Sequence, residues 1–130
     1  RDVAVAWFTA AEDRPRVRFA RSADGGASFG PPVDLDADGP LGRVDVVLLE
    51  DGDAVVAWLA ADADGAVVAL RRVARDGSLG PVRVVGRTAA SRPAGFPQIA
   101  RQGASLIVAW TESRGEEARV ATVRVAAAGV

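Results

Sequence analysis

The residue types that could do chemistry in this chain are few. Lys, His, Cys, Met, Tyr and Asn are all absent, and every basic residue is Arg. Imidazole acid/base catalysis, a thiol or phenolic nucleophile, a disulfide framework and a Cys-ligated zinc site therefore have no source within these residues. What remains is carboxylate and guanidinium. Arg recognises carboxylates through two parallel N–H donors, while Asp and Glu accept sugar hydroxyls or, with a tuned pKa, act as acid or base. One spacing is suggestive of a hard cation: Asp34-x-Asp36-x-Asp38-Gly39, with Leu41 at the eighth position and Asp45 at the twelfth, follows the order of an EF-hand-type calcium loop. Against it, no helical pattern flanks the segment, Asp stands where a bidentate Glu belongs, and Asp34 falls in a strand-like run. Asp/Gly-rich turns between strands commonly have this composition without metal. No metal and no other cofactor is expected.

The elements that must position these groups are strands. Among 130 residues, 49% are hydrophobic, mostly Val and Ala, and Val favours strands through its branched Cβ. A net charge of −1 gives no electrostatic case for nucleic acid or an anionic membrane. No apolar run approaches the roughly 18 residues of a membrane span. Ala-rich stretches such as Ala126–Ala128 are too short for a helix.

The chain repeats itself. Val5-Ala6-Trp7, Val56-Ala57-Trp58 and Val108-Ala109-Trp110 recur at intervals of 51 and 52 residues and contain all 3 Trp of the sequence. In the complete middle unit the pattern predicts strands at Val44–Leu49, Ala54–Ala60, Val67–Val73 and Val82–Val85. Turns fall at Asp51-Gly52-Asp53, at 62–65 and at Asp76-Gly77-Ser78. Four short strands returning about every 50 residues predict an all-β fold, a β-propeller fragment of about two and a half four-stranded blades. A β-sandwich has no reason to repeat Val-Ala-Trp at constant spacing. The expected division is a partial first blade over 1–38, a full blade over 39–88 and a partial third over 89–130, together one partial domain. The first unit enters at its second strand and the third stops after its third. A propeller needs at least about four blades to close, so further blades or self-association are expected to cover the ends.

After the strand ending near Ala20 stands Ser22-Ala23-Asp24-Gly25-Gly26-Ala27-Ser28-Phe29. It resembles the Asp-box of sialidase-like, BNR-repeat propellers at Ser22, Asp24, Gly26, Ser28 and Phe29. The expected role is a structural clasp: short polar side chains bind turn amides, Gly26 takes positive φ, and the aromatic plugs the hairpin. Arg75-Asp76-Gly77-Ser78-Leu79-Gly80-Pro81 looks like a decayed copy. The overall texture is similar to the C-terminal part of bacterial exo-α-sialidase-like proteins. Within that likeness, Ser91 to Ala100 resembles the loop feeding the innermost strand of the last blade. This implies a natural C-terminus near Val130 and an outer strand supplied by the N-terminus of the protein.

The resemblance implies a functional face opposite the Asp-box. It is lined by loops leading into inner strands, 39–45 and 91–97, and by loops between second and third strands, 12–14, 62–64 and 112–116. Arg43, Asp45, Arg92 and Glu112 are the resulting ligand-binding candidates, though an Arg or Asp on a loop is more often a solvated charge. Sialidases are implied to use an arginine triad, a Tyr–Glu nucleophile pair, an Asp acid/base and an Arg-Ile-Pro motif. This segment has no Tyr and no Arg-Ile-Pro, so key catalytic residues would lie outside it. The expected function is a sialidase-like propeller, secreted, periplasmic or in the cell envelope, that hydrolyses or binds glycans or glycoconjugates. The alternatives are a noncatalytic module that binds protein or carbohydrate, and a scaffold assembled from copies.

Overall fold

In the computed structural model, which describes residues 1–90 and 94–130, the chain forms ten strands in three antiparallel sheets, none closed into a barrel. The first sheet is β1 (Val3–Thr9), β2 (Arg16–Ser22) and β3 (Val33–Asp36). The second is β4 (Pro40–Leu48), β5 (Ala54–Asp62), β6 (Gly65–Val73) and β7 (Arg83–Thr88). The third is β8 (Gly95–Gln102), β9 (Ser105–Arg114) and β10 (Glu117–Ala126). Within each sheet the strands follow chain order, so each meanders outward from its first strand. Single 3₁₀ turns occur at Ala11–Asp13 and Ala127–Gly129, and among the described residues no helix is long and apolar enough to cross a membrane. The predicted strands of the middle unit are all present, but β4 begins at Pro40 and not at Val44, because its first residues pair with β5 through two register shifts.

The sheets stack face to face, with the middle one apolar on both sides. Successive side chains of a strand point to opposite faces. Ala54, Val56, Trp58 and Ala60 of β5 accordingly pack with Val17, Phe19 and Leu35 of the first sheet. Val55, Ala57 and Leu59 turn the other way, onto Ile99, Leu106, Val108 and Trp110 of the third. β5 is therefore an unbroken apolar run from Ala54 to Ala60, fully buried over most of its length. Contact between sheets is closest among β1, β4, β5 and β8 and thins toward the outer strands.

Trp58 and Trp110 each face the sheet that precedes their own. Trp58 lies against the first sheet, and its indole Nε1 donates to Asp36 Oδ2 of β3 at 2.7 Å. Trp110 lies against the second, over Gly86 of β7. Asp36 and Gly86 are equivalent positions, each just past a register shift, at Val17/Arg18 on one strand pair and Val68/Ala69 on the other. At the first, a carboxylate meets the indole edge. At the second, the absence of a side chain lets the ring lie on the backbone, and Trp110 Nε1 is buried without a hydrogen-bond partner. A Cβ on Gly86 would stand 2.2 Å from Trp110 Cζ2. Gly86→Ala is therefore expected to lower stability by about 1–3 kcal/mol, the cost of overpacking a filled seam. Urea denaturation followed by tryptophan emission measures it, and an unchanged midpoint would contradict this seating of Trp110.

Candidate functional site

The strands alternate in direction, so the stack has two ends. At one end lie the loop 23–32 and the turns 49–53, 74–81 and 103–104. At the other lie the starts of β4 and β8, the 3₁₀ turn Ala11–Asp13, and the turns after β5 and β9. The second end carries the described candidates.

β4 and β8 open with the same irregularity. Gly42 (φ 90°) and Gly95 (φ 86°) are each followed by a non-glycine residue of positive φ, Arg43 (57°) and Phe96 (52°). The register shifts at the same place in both, between Gly42 and Asp45 and between Gly95 and Gln98. The glycines are required by packing. A Cβ on Gly42 would come within 3.0 Å of the Phe8 ring, and one on Gly95 within 2.7 Å of Leu59 Cδ2. The residue that follows is turned toward the end of the stack. As a result the Arg43 guanidinium carbon stands 4.0 Å from the centroid of the Phe96 ring, a cation–π contact between neighbouring sheets. Phe96 is 54% exposed. Sequence reasoning missed Phe96, because aligning the second and third units on Trp58 and Trp110 sets Phe96 opposite Val44, one residue out of register with Arg43.

The other candidates sit differently from expectation. The segment 39–45, expected as a loop, is the bulged start of β4, and Asp45 points inward. Its Oδ1 accepts the Val46 amide at 2.9 Å and its Oδ2 accepts the Ile99 amide of β8 at 2.8 Å. Asp45 thus ties two sheets through backbone donors and presents no free oxygen pair to a ligand. Glu112, also expected on a loop, lies within β9 and is engaged by Arg119 at 2.5 Å and Arg114 at 3.4 Å. The Arg119 contact holds its carboxyl below the usual Glu range despite partial desolvation. A groove of about 340 Å³ whose lining includes Asp64, Arg87, Thr88, Glu112 and Arg114 runs beside it. Arg92 lies outside the described residues.

The calcium spacing does not converge. Asp34 pairs with Arg18 at 2.7 Å and Arg16 at 3.6 Å, Asp36 takes the Trp58 indole and the Asp38 amide, and Asp45 faces β8. Among the described residues no group of three or more acidic side chains is placed to hold a metal ion. The order of carboxylates along the chain matches a calcium loop, but each is drawn to a different partner, Asp34 to Arg18 and Arg16, Asp36 to the Trp58 indole and Asp45 to the Ile99 amide.

At the opposite end, the turn after β2 is a hydrogen-bonded knot. Ser22 Oγ donates to Asp24 Oδ1 at 2.6 Å and accepts the Gly26 amide at 2.8 Å. Asp24 Oδ1 accepts the Ser28 amide at 2.9 Å and Oδ2 the Ser28 hydroxyl at 2.6 Å. Gly26 has φ 92°. Phe29 was expected to plug the hairpin but is 44% exposed. Its counterpart Leu79 does pack on the core between the first two sheets. The hydroxyls of Ser22 and Ser28 and the Ser28 amide hold the Asp24 carboxyl far below its ordinary value. Asp76 is held low in the same way by Ser78.

Neither a protein-family model nor a curated protein matches the chain.

A carboxylate whose folded pKa is depressed stabilises above its unfolded value, near 4, and loses that contribution as pH falls toward the folded value. The thermal midpoint is expected to hold from about pH 5 upward and decline below about pH 4. Asp24→Asn should lower the midpoint at neutral pH and flatten the decline, whereas an unaltered acid profile would show that the knot does not contribute. For Asp45→Ala, the Ile99 amide loses its partner, with an expected cost of about 1–3 kcal/mol by chemical denaturation. A ligand-contacting Asp45 would instead leave stability unchanged.

Proposed function

We propose that the three sheets are consecutive blades of a sialidase-like, Asp-box propeller whose end at the starts of β4 and β8 binds glycans. The observation that carries this reading is the Arg43–Phe96 pair: an exposed aromatic ring and a guanidinium held together by two equivalent bulges on neighbouring innermost strands. An aromatic face stacks on the apolar face of a sugar ring, and a guanidinium edge donates to hydroxyls or a carboxylate. The propeller part is supported by the recurrence of contacts from one sheet to the next, Gly42 on Phe8 and then Gly95 on Leu59, Trp58 over the β3 bulge and then Trp110 over the β7 bulge. The Ser22–Asp24–Ser28 knot supports the Asp-box likeness, since its bonds run between the residues that the motif specifies.

The noncatalytic version is favoured over hydrolysis by these residues. Asp45 has both oxygens on backbone amides, and Glu112 is paired with two Arg, so neither is poised as a general acid. Hydrolysis would draw on residues outside the segment. Microcalorimetry of the chain against sialyllactose and lactose is the test. Arg43→Ala and Phe96→Ala are each expected to weaken binding about tenfold, roughly 1.4 kcal/mol, without shifting the unfolding midpoint downward. Failure to bind either sugar would overturn the glycan reading, and release of free sialic acid would overturn its noncatalytic form.

A further inference from the structure

The chain contains five Asp-Gly steps, at 24–25, 38–39, 51–52, 64–65 and 76–77. Each carries a latent reaction. The glycine amide nitrogen can close a five-membered ring on the aspartate side-chain carbonyl carbon, and glycine has no Cβ to shield that nitrogen. Closure asks two things of the fold: a glycine amide not held as a donor, and a carboxyl not held as an anion, so that its oxygen can depart as water. At four of the steps the fold withholds one or both. The amides of Gly25, Gly52 and Gly77 donate to the carbonyls of Arg1, Leu49 and Ala74 at 3.0, 3.2 and 2.9 Å. Gly65 pairs with Asp62 at the mouth of the β5–β6 hairpin, where a Cβ would stand 2.8 Å from the Thr88 carbonyl oxygen. Three of the carboxylates are tied as well. Ser22 and Ser28 hold Asp24, Ser78 holds Asp76, and Arg72 and the Asp53 amide hold Asp51. The serine contacts keep Asp24 and Asp76 ionised well below the usual carboxylate range.

Asp38-Gly39 has neither restraint. Among the described residues the Gly39 amide donates to no acceptor and the Asp38 carboxylate has no partner; only the Asp38 amide is bonded, to Asp36 Oδ1 at 2.9 Å. Both residues are exposed. A Cβ built on Gly39 meets nothing nearer than Ala61 Cβ at 3.7 Å, so the backbone there has room to move.

From this we infer that Asp38-Gly39 is a site of backbone modification, at which the folded chain converts to isoaspartate through a succinimide. The Gly39 nitrogen lone pair attacks Asp38 Cγ, and the N–Cγ bond forms as a Cγ–O bond breaks. The departing oxygen leaves as water, taking the amide proton and the carboxyl proton. A water then adds to one of the two ring carbonyls. Opening at the Asp38 main-chain carbonyl leaves the chain running through Cβ and Cγ, with the mass of the starting protein and no oxidant or cofactor consumed. The position gives the change a structural consequence. Residues 37–39 join the first sheet to the second, and the Gly39 carbonyl accepts the Ala61 amide at 2.9 Å just before the bulge at Gly42 and Arg43. Isomerisation lengthens this link by one main-chain carbon, about 1.5 Å. The inference is independent of the glycan reading.

The test ages the 130-residue chain at physiological temperature and neutral pH, folded in buffer and, in parallel, unfolded in guanidinium chloride. Tryptic peptides are then treated with an endoproteinase that cuts before aspartate and skips isoaspartate. Peptide 22–43 carries both a locked step, Asp24-Gly25, and the unrestrained one, so it supplies its own control. In the folded chain isoaspartate is expected at residue 38, and at the other four steps at least about fivefold more slowly, the factor set by having to open a hydrogen bond first. In denaturant the five rates should converge. Asp38→Glu, an exposed change that keeps the charge but would need a six-membered ring, should abolish the product at this position. The inference is overturned by equal rates at the five steps of the folded chain, by faster reaction at any of the other four, or by no isoaspartate at 38 in the folded chain over the period in which the unfolded chain forms it.

Discussion

The whole arrangement depends on β5 being buried on both faces. A strand covered on one side alternates apolar and polar residues, whereas one covered on both must be apolar throughout. Ala54 to Ala60 satisfies that demand without a polar residue, and its alternation divides the molecule into two cores, one on each side. Burying one Trp removes on the order of 200 Å² from water, worth roughly 5 kcal/mol before entropy is counted. Trp58 is fully buried between the first two sheets, and Trp110 does the same service in the next seam.

Stacking sheets so closely strands polar groups in the seams, and the structure answers with a few side chains that bridge from one sheet to the next. Asp36 accepts the Trp58 indole, Asp45 accepts the Ile99 amide, and Thr88 Oγ1 donates to the Thr111 carbonyl while accepting the Ser113 amide. A buried group left without a partner costs about 1–3 kcal/mol, so these residues set the register between sheets as firmly as the apolar packing does. At the end that carries the turn 49–53, Arg72 extends the same logic, holding Asp53 at 2.6 Å, pairing with Asp51, and donating to the Ala127 carbonyl beyond β10 at 3.0 Å.

Much of this was visible in the residues. Val-Ala-Trp at intervals of 51 and 52 located one strand of every sheet, β1, β5 and β9. The Ser22-to-Phe29 pattern located the hydrogen-bonded knot, since its chemistry is local to the turn. Side-chain direction at the candidate site was not visible. Asp45 belongs to a stretch with loop composition, and only the bulge at Gly42 and Arg43 turns it inward onto β8. Glu112 was assigned to a loop because charge clusters after Trp110, yet cross-strand pairing with Arg119 carries β9 on to Arg114. Phe96 escaped notice because an aromatic between Gly and Pro carries no periodic signal of its own.

The paired bulges hold strain without an evident structural return. Gly42 and Gly95 are explained by the rings and methyls beneath them, and glycine adopts positive φ at no steric cost. Arg43 and Phe96 are not so explained. A non-glycine residue in the left-handed region costs of order 1–3 kcal/mol, incurred twice, while a cation–π contact at a partly exposed site returns about 0.5–1 kcal/mol. The balance is unfavourable to stability by these magnitudes. A second glycine at either position would relieve the strain and keep the bulge, but it would also remove the stacked ring and guanidinium from the end of the stack. That both side chains stand at this cost, at equivalent points on neighbouring sheets, is the energetic support for the proposal that this end of the stack is displayed for recognition.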